Sequence, residues 1–187
     1  MDPKLIAAAR QGDPDAFRSL YDALVAPVTR VVRALVRDRD AADDVVQETF
    51  LSVFRGLQGF RNDAEVSTWV TRIALNRARD ALRRRRRAPR RLEVLEQEDG
   101  RPLDQRADLA APERPAPDPW LARVLRAEIG RLPEEFRDCF LLREVGEHSY
   151  EEIAAIMEIP VGTVRSRLLR ARERLRARLG SSLSGER

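Results

Sequence analysis

The 187-residue sequence predicts an all-α fold: two small helical domains joined by a flexible acidic, Pro-rich linker, the C-terminal one a helix-turn-helix. Three observations carry this. Apolar residues recur at helical spacing along most of the chain, and no alternating run long enough for a strand occurs. The stretch from Ala88 to Pro119 holds six prolines, has a net negative charge and shows no sustained period. A capped helix, a tight connection and a basic amphipathic helix follow one another from Ser149 onward. The proline-rich stretch exceeds an ordinary loop, so residues 1–87 form a first domain, 88–119 the linker, 120–180 a second domain and 181–187 a tail.

The first domain opens where Asp13 caps Pro14, starting a helix toward Val36 that Pro27 is expected to kink or interrupt. Asp40 is the expected cap of a second helix, Ala41 to Leu57, with Asp43 and Asp44 near its positive end. Gly56, Gly59 and Asn62-Asp63 mark a loop, and a third helix runs from about Ala64 to Arg87. Beyond the linker, helices are expected near Trp120–Arg131, Pro133–Val145, Ser149–Met157 and Val161–Leu179. Ser149 and Glu152 have the spacing of a capping box.

Composition narrows the function classes. Hydrophobic residues make up 43% and aromatic residues only 5%, which fits modest helical cores, and no apolar run approaches the roughly 20 residues of a membrane span. Met1-Asp-Pro-Lys4 lacks the pattern of a secretion signal, so a cytoplasmic location without membrane insertion is expected. Cys139 is the single cysteine, which rules out an internal disulfide or a cysteine-built zinc site and reads as a buried thiol. His148 reads as a loop residue before the capping serine. With no phosphate-binding glycine loop and no ligand cluster, no metal, cofactor or catalytic residue is expected. Positive charge gathers in two blocks, nine arginines against one aspartate over residues 76–91 and eight against two acidic residues over 165–187. Two such blocks, separated by acidic stretches, point to two polyanion contacts. Lys4 is the one lysine, so this charge is guanidinium, suited to phosphate and guanine.

Projected as a helix, Val161, Val164, Leu168, Ala171 and Leu175 share one stripe and should face the core. Gly162, Thr163, Ser166, Leu169 and Arg170 face the other way, flanked by Arg165, Arg167, Arg172 and Arg174. That division suits duplex DNA: Arg170 for a guanine edge, Ser166 for a base or phosphate, Leu169 for a thymine methyl, and the flanking arginines for the backbone. In the first domain, helix Ala41–Leu57 turns Ala42, Val46, Thr49, Phe50, Val53 and Leu57 inward and Asp44, Gln47, Glu48, Leu51 and Arg55 outward. A leucine within an acidic, amide-bearing face is a candidate anchor for a partner helix. The third helix packs through Val70, Ala74, Ala78, Ala81 and Leu82, and its other side carries Trp69, Arg72, Ile73, Asn76, Arg79 and Arg83. An aromatic among guanidiniums can stack an unpaired base and neutralise its backbone, and the loop Phe60-Arg-Asn-Asp63 offers polar groups to a flipped base. Arg83 to Arg87 would add salt-sensitive phosphate binding. The alternative for Trp69 is plain packing against a neighbouring helix.

These segments, in this order, resemble the extracytoplasmic-function (ECF) group of the sigma-70 family of bacterial RNA polymerase sigma factors. Asp43-Asp-Val-Val-Gln-Glu-Thr-Phe50 is similar to the family's core-binding segment, and Phe60-Arg61 with Ser67-Thr-Trp69 to its minus-ten segment. Leu132-Pro-Glu-Glu-Phe-Arg137 and Ile159-Pro-Val-Gly-Thr-Val-Arg-Ser-Arg-Leu168 resemble its C-terminal domain. The resemblance implies that Asp44, Gln47, Glu48 and Leu51 bind the clamp helices of the polymerase β′ subunit, with the β subunit a further partner. It implies that Arg61, Asn62, Asp63, Ser67, Trp69, Arg72, Asn76 and Arg79 open and hold the minus-ten strand. Thr163, Arg165, Ser166, Arg167, Leu169 and Arg170 would contact the minus-thirty-five duplex. An anti-sigma protein is a further implied partner, and the linker would lie near the polymerase active centre and RNA exit path. One departure is Glu158, which stands in the turn where such proteins often carry glycine. Two other readings fit parts of the sequence: a conventional regulator with an N-terminal sensing or dimerisation domain, and a nucleic-acid-processing enzyme. The first would not need the Asp44–Leu51 face, and the second would need a catalytic cluster that no segment offers.

Overall fold

In a computed structural model the described residues are 1–60, 65–87 and 118–184. Every regular element among them is helical. Asp2 caps α1 (Pro3–Arg10) and Asp13 caps α2 (Pro14–Leu35), each just ahead of a first-turn proline. Sequence periodicity had no purchase on α1, which is eight residues long and buries only Ile6 and Ala9. Pro27 does not interrupt α2. The lost hydrogen bond is offset by burial on both sides of it, where Leu20, Leu24, Val28, Val31 and Val32 are almost wholly enclosed.

Helix α3 (Arg39–Gly56) begins two residues earlier than expected, because Asp38 rather than Asp40 is the cap and accepts the Ala41 N–H at 2.9 Å. That bond, ahead of Arg85 at 3.1 Å, holds the Asp38 carboxyl below its ordinary range. A short 3₁₀ turn (Leu57–Gly59) ends the segment, and α4 (Val66–Arg87) returns across α2 and α3. The C-terminal half comprises α5 (Pro119–Gly130), capped by Asp118, α6 (Glu134–Glu144), α7 (Tyr150–Met157) and α8 (Val161–Ser184). The linker lies outside the described residues except at its last two positions, as do residues 185–187 of the tail. No helix among the described residues is long and apolar enough to cross a membrane.

The inward stripe of α8 is as projected: Val164, Leu168, Ala171 and Leu175 are buried, with Val161 half-buried at the entry. In α3, Val45 is buried and Val46 only partly so. The larger departure is in α4, where Thr68, Thr71 and Leu75 are buried besides the predicted side. The reason is tertiary. Helix α4 packs on α2 and α3 with one side and on α7 with another, while α2 also meets α6. One apolar cluster therefore runs from Ile6 through Val32, Val70 and Leu75 into Cys139, Leu142, Ile153 and Leu168. A smaller cluster of Leu132, Phe136, Ala171 and Leu175 ties α6 to α8.

The capping box of α7 is formed: Glu152 N–H donates to Ser149 Oγ at 3.1 Å, and Ser149 N–H to Glu152 Oε2 at 2.7 Å. The Ser149 N–H is the main cause of the lowered pKa of Glu152. Replacing Ser149 by Ala should lower stability by about 1 kcal/mol in denaturant titrations. Because the folded pKa of Glu152 is depressed, its contribution is present above the ordinary glutamate range and is lost as pH falls through the lowered folded value. Glu152→Gln should therefore flatten the acid limb of the melting profile; an unchanged acid limb would refute the assignment.

Candidate nucleic-acid interface

The C-terminal interface is built on the turn between α7 and α8. Glu158 has φ 56° and ψ 46°, the left-handed conformation usually given to glycine, and the Ile159 N–H donates to the Ala154 carbonyl at 3.1 Å. The departure from glycine is thus accommodated without loss of the turn. It presents on α8 a face in which Arg165, Ser166, Leu169 and Arg170 are exposed, Leu169 at 58%. Ser166 Oγ is tied to the Thr163 carbonyl at 2.9 Å, and Thr163 itself is half-buried. Arg167 is set apart from this face: half-buried, it places its guanidinium charge near the Cys139 sulfur, partly opposing the burial that pushes that thiol up to about 11. Arg172 pairs with Glu144 at 3.0 Å, and Arg143 donates to the His148 carbonyl at 2.9 Å, fixing α8 and the α6–α7 loop. His148 is half-buried there, and desolvation holds its pKa down.

The predicted face of α4 is less open. Trp69 is half-buried, its ring 5.0 Å from that of Phe60 and tilted by 36°, with Gly56 beneath it: a Cβ there would stand 3.3 Å from the indole. The packing alternative for Trp69 is therefore realised on one side of the ring. Ser67 is half-buried and Asn76 exposed. Arg72 and Arg79 are turned to the other half of the molecule. Arg72 Nη1 donates to Glu158 Oε1 at 2.7 Å and Nη2 to the Ala155 carbonyl; Arg79 Nε donates to Asp138 Oδ2 at 2.8 Å and lies 3.6 Å from Glu134. Ile73 packs against the shared apolar cluster rather than lying open. Arg61, Asn62 and Asp63 lie outside the described residues. In the arginine run, Arg83, Arg84 and Arg85 pair with Asp80, Glu48 and Asp38 respectively.

A second surface lies on α3. Asp44, Gln47 and Leu51 are exposed and Glu48 is half-buried, as the projection requires. Sequence reasoning missed what surrounds Leu51. Phe54, 63% exposed, meets Phe17 edge-on at 5.1 Å, and Tyr21 meets Phe50 at 4.6 Å. Together with Val46 and Gln47 they line an open groove of about 420 Å³. The signal was present: Phe54 follows Leu51 by three residues, and Phe17 and Tyr21 are four apart.

Residues 20–88 match the sigma-70 region 2 family model, and residues 122–175 match that of sigma-70, region 4. The ECF RNA polymerase sigma-E factor of Haemophilus influenzae is 37% identical over 175 residues, 92% of each chain. The RNA polymerase sigma-H factor of Pseudomonas aeruginosa is 36% identical over 174 residues, covering 92% of this chain and 90% of that one. Among solved structures, CnrH in complex with the cytosolic domain of CnrY superposes with a TM-score of 0.70 and 28% identity, over 95% of this chain and 96% of that one. The sigma factor RpoE of Bartonella quintana, solved with the anti-sigma factor NepR, shares the fold with a TM-score of 0.66, 23% identity and 88% of this chain covered, 96% of that one. With regions 2 and 4 matched in order and more than a third of residues identical along nine-tenths of its length, the chain belongs to the ECF group of RNA polymerase sigma factors.

Proposed function

We propose that this sigma factor acts as a dissociable initiation subunit without catalytic activity of its own, docking on core polymerase through α3 and reading promoter DNA with α4 and α8. The observation that carries the reading is the division of exposed surface. One helix, α8, presents Leu169 among Arg165, Ser166 and Arg170, while α3 presents Leu51 and Phe54 over an aromatic groove. A duplex reader needs polar and methyl-contacting groups beside guanidiniums. A docking site for a rigid helix pair needs aliphatic and aromatic anchors ringed by polar groups. Asp44, Gln47 and Glu48 supply that ring toward the β′ clamp helices.

In the division of labour, Arg165, Ser166, Leu169 and Arg170 select and anchor the minus-thirty-five duplex, with Thr163 positioning Ser166 and Arg167 acting from the flank. Residues of α4 and its preceding loop, Arg61, Asn62, Asp63, Ser67, Trp69, Arg72, Asn76 and Arg79, trap the unpaired minus-ten strand. Strand opening would then be driven by capture of extruded bases rather than by nucleotide hydrolysis. Residues 1–87 and 120–180 serve as the two functional domains, with 88–119 spanning between them. Two solved relatives in complex with the cytosolic domain of CnrY and with the anti-sigma factor NepR support control by an anti-sigma protein.

Reconstitution with core RNA polymerase on a promoter library, scored by run-off transcription, tests the whole reading; absence of promoter-specific initiation would refute it. Leu51→Ala with Phe54→Ala should weaken core binding by about 2 kcal/mol or more, as loss of paired anchors does, measured by competition for core. Arg170→Ala should cost about 1–3 kcal/mol at the minus-thirty-five element and relax preference at one base position, read from binding to a randomised duplex. Trp69→Ala should reduce strand opening, followed by thymine reactivity, while protection of the minus-thirty-five element persists. Equal loss of both would contradict the division of labour.

A further inference from the structure

Gly56 is the last residue of α3, and nothing in its backbone asks for glycine. Its φ of −91° and ψ of −13° are right-handed and open to any residue. Alanine would suit a helix end better, since glycine has the most backbone freedom to lose on folding. Gly59, which closes the 3₁₀ turn that follows, has open space where a Cβ would lie. At Gly56 that space is taken. A Cβ would meet Trp69 Cζ2 at 3.3 Å and Cη2 at 3.6 Å, two atoms of the six-membered ring of the indole. The first approach is closer than the optimal separation of two carbons.

The other groups that bound the indole are fixed by burial. The Phe60 ring lies with its centroid 5.0 Å from that of Trp69 and tilted by 36°. Phe60 and Leu57 are buried, and the Phe60 N–H donates to the Leu57 carbonyl at 3.1 Å, which closes the turn beneath. Trp69 springs from the first turn of α4, where Val66, Thr68 and Val70 are enclosed and hold the backbone. The part that can yield is therefore the half-buried indole, by rotation about its own side-chain bonds. A methyl group at position 56 would tip the ring off its seat.

We propose that Gly56 is a positioning residue for capture of the minus-ten strand: its missing side chain seats the Trp69 indole and, with Phe60, sets the depth and tilt at which that indole meets an extruded base. This rests on the proposed function, which makes Trp69 the stacking group. Stacking needs a ring plane presented at one height and angle. Gly56 acts on strand opening through that ring alone and touches no base itself.

The test uses the full chain with core polymerase on a promoter recovered from the library. Opening is followed by thymine reactivity and the minus-thirty-five element by protection. Trp69→Ala sets the limit, a loss of about 5- to 150-fold for one base–aromatic stack. Gly56→Ala should lower opening about threefold and Gly56→Val about tenfold, with protection of the minus-thirty-five element retained. Gly59→Ala, whose Cβ meets nothing, should stay within about twofold of wild type. The deciding variant is Trp69→Phe, which keeps a ring but removes the edge bearing Cζ2 and Cη2. In that background Gly56→Ala should cost nothing further, a coupling that a general loss of structure would not produce. In a Trp120→Phe background Trp69 is the single indole, and Gly56→Ala should increase acrylamide quenching of its emission.

Unchanged opening in both Gly56 variants, an equal loss in Gly59→Ala, or a full alanine penalty in the Trp69→Phe background overturns the role of Gly56. If wild type initiates and Trp69→Ala blocks opening, the proposed function survives those results. Failure of wild type to initiate on the library overturns the proposed function and the role of Gly56 together.

Discussion

Asp138 is a carboxylate with no exposed surface, and its neutralisation is shared between Arg137 on its own helix and Arg79 on α4. Taking such a group out of water costs several kcal/mol unless charge and hydrogen bonds replace the lost solvent. Burial still holds its pKa above the usual aspartate range in spite of both arginines, so compensation is incomplete. A helix pair that withdrew Arg79 would have to give Asp138 water in exchange. The position of α6 against α4 is therefore coupled to the hydration of one side chain. Around it, the apolar surfaces of α2, α4, α6 and α7 close into a shared cluster. That cluster supplies attraction, while the charge pairs at its rim supply register.

The outward faces of α8 and α4 differ in how they are supported. The face of α8 rests on short-range devices: the Ser149 capping box, the left-handed Glu158 and the Arg172–Glu144 pair all lie within the C-terminal domain. The face of α4 is supported by neighbours distant in sequence, with Phe60 and Gly56 under Trp69 and C-terminal carboxylates over Arg72 and Arg79.

What could be read from the sequence follows the same division. Helical spacing places Val164, Leu168, Ala171 and Leu175 inward and Leu51 and Leu169 outward, because each of those helices buries a single stripe. The Ser149–Glu152 box was legible because a cap is a local motif. Periodicity falls short at α4, where a second helix covers a second side and encloses Thr68, Thr71 and Leu75. It is silent on Arg72 meeting Glu158, which lies 86 residues away, because no local pattern encodes a pairing across the linker. The Phe17–Phe54 contact escaped for a related reason: each ring sits at helical spacing with its own neighbours, but their meeting depends on how α2 crosses α3.

Lys4, exposed near the start of α1, is the one lysine of the sequence, and every other basic side chain apart from His148 is an arginine. Guanidinium resists deprotonation throughout any range in which the fold survives, and it is not a substrate for acylation of amines. Neither arginine-rich face can thus be tuned by lysine acetylation, a common way of switching basic proteins off nucleic acid. The same fact makes the chain convenient to label. An amine-directed fluorophore attached to the Lys4 side chain leaves both arginine faces chemically intact.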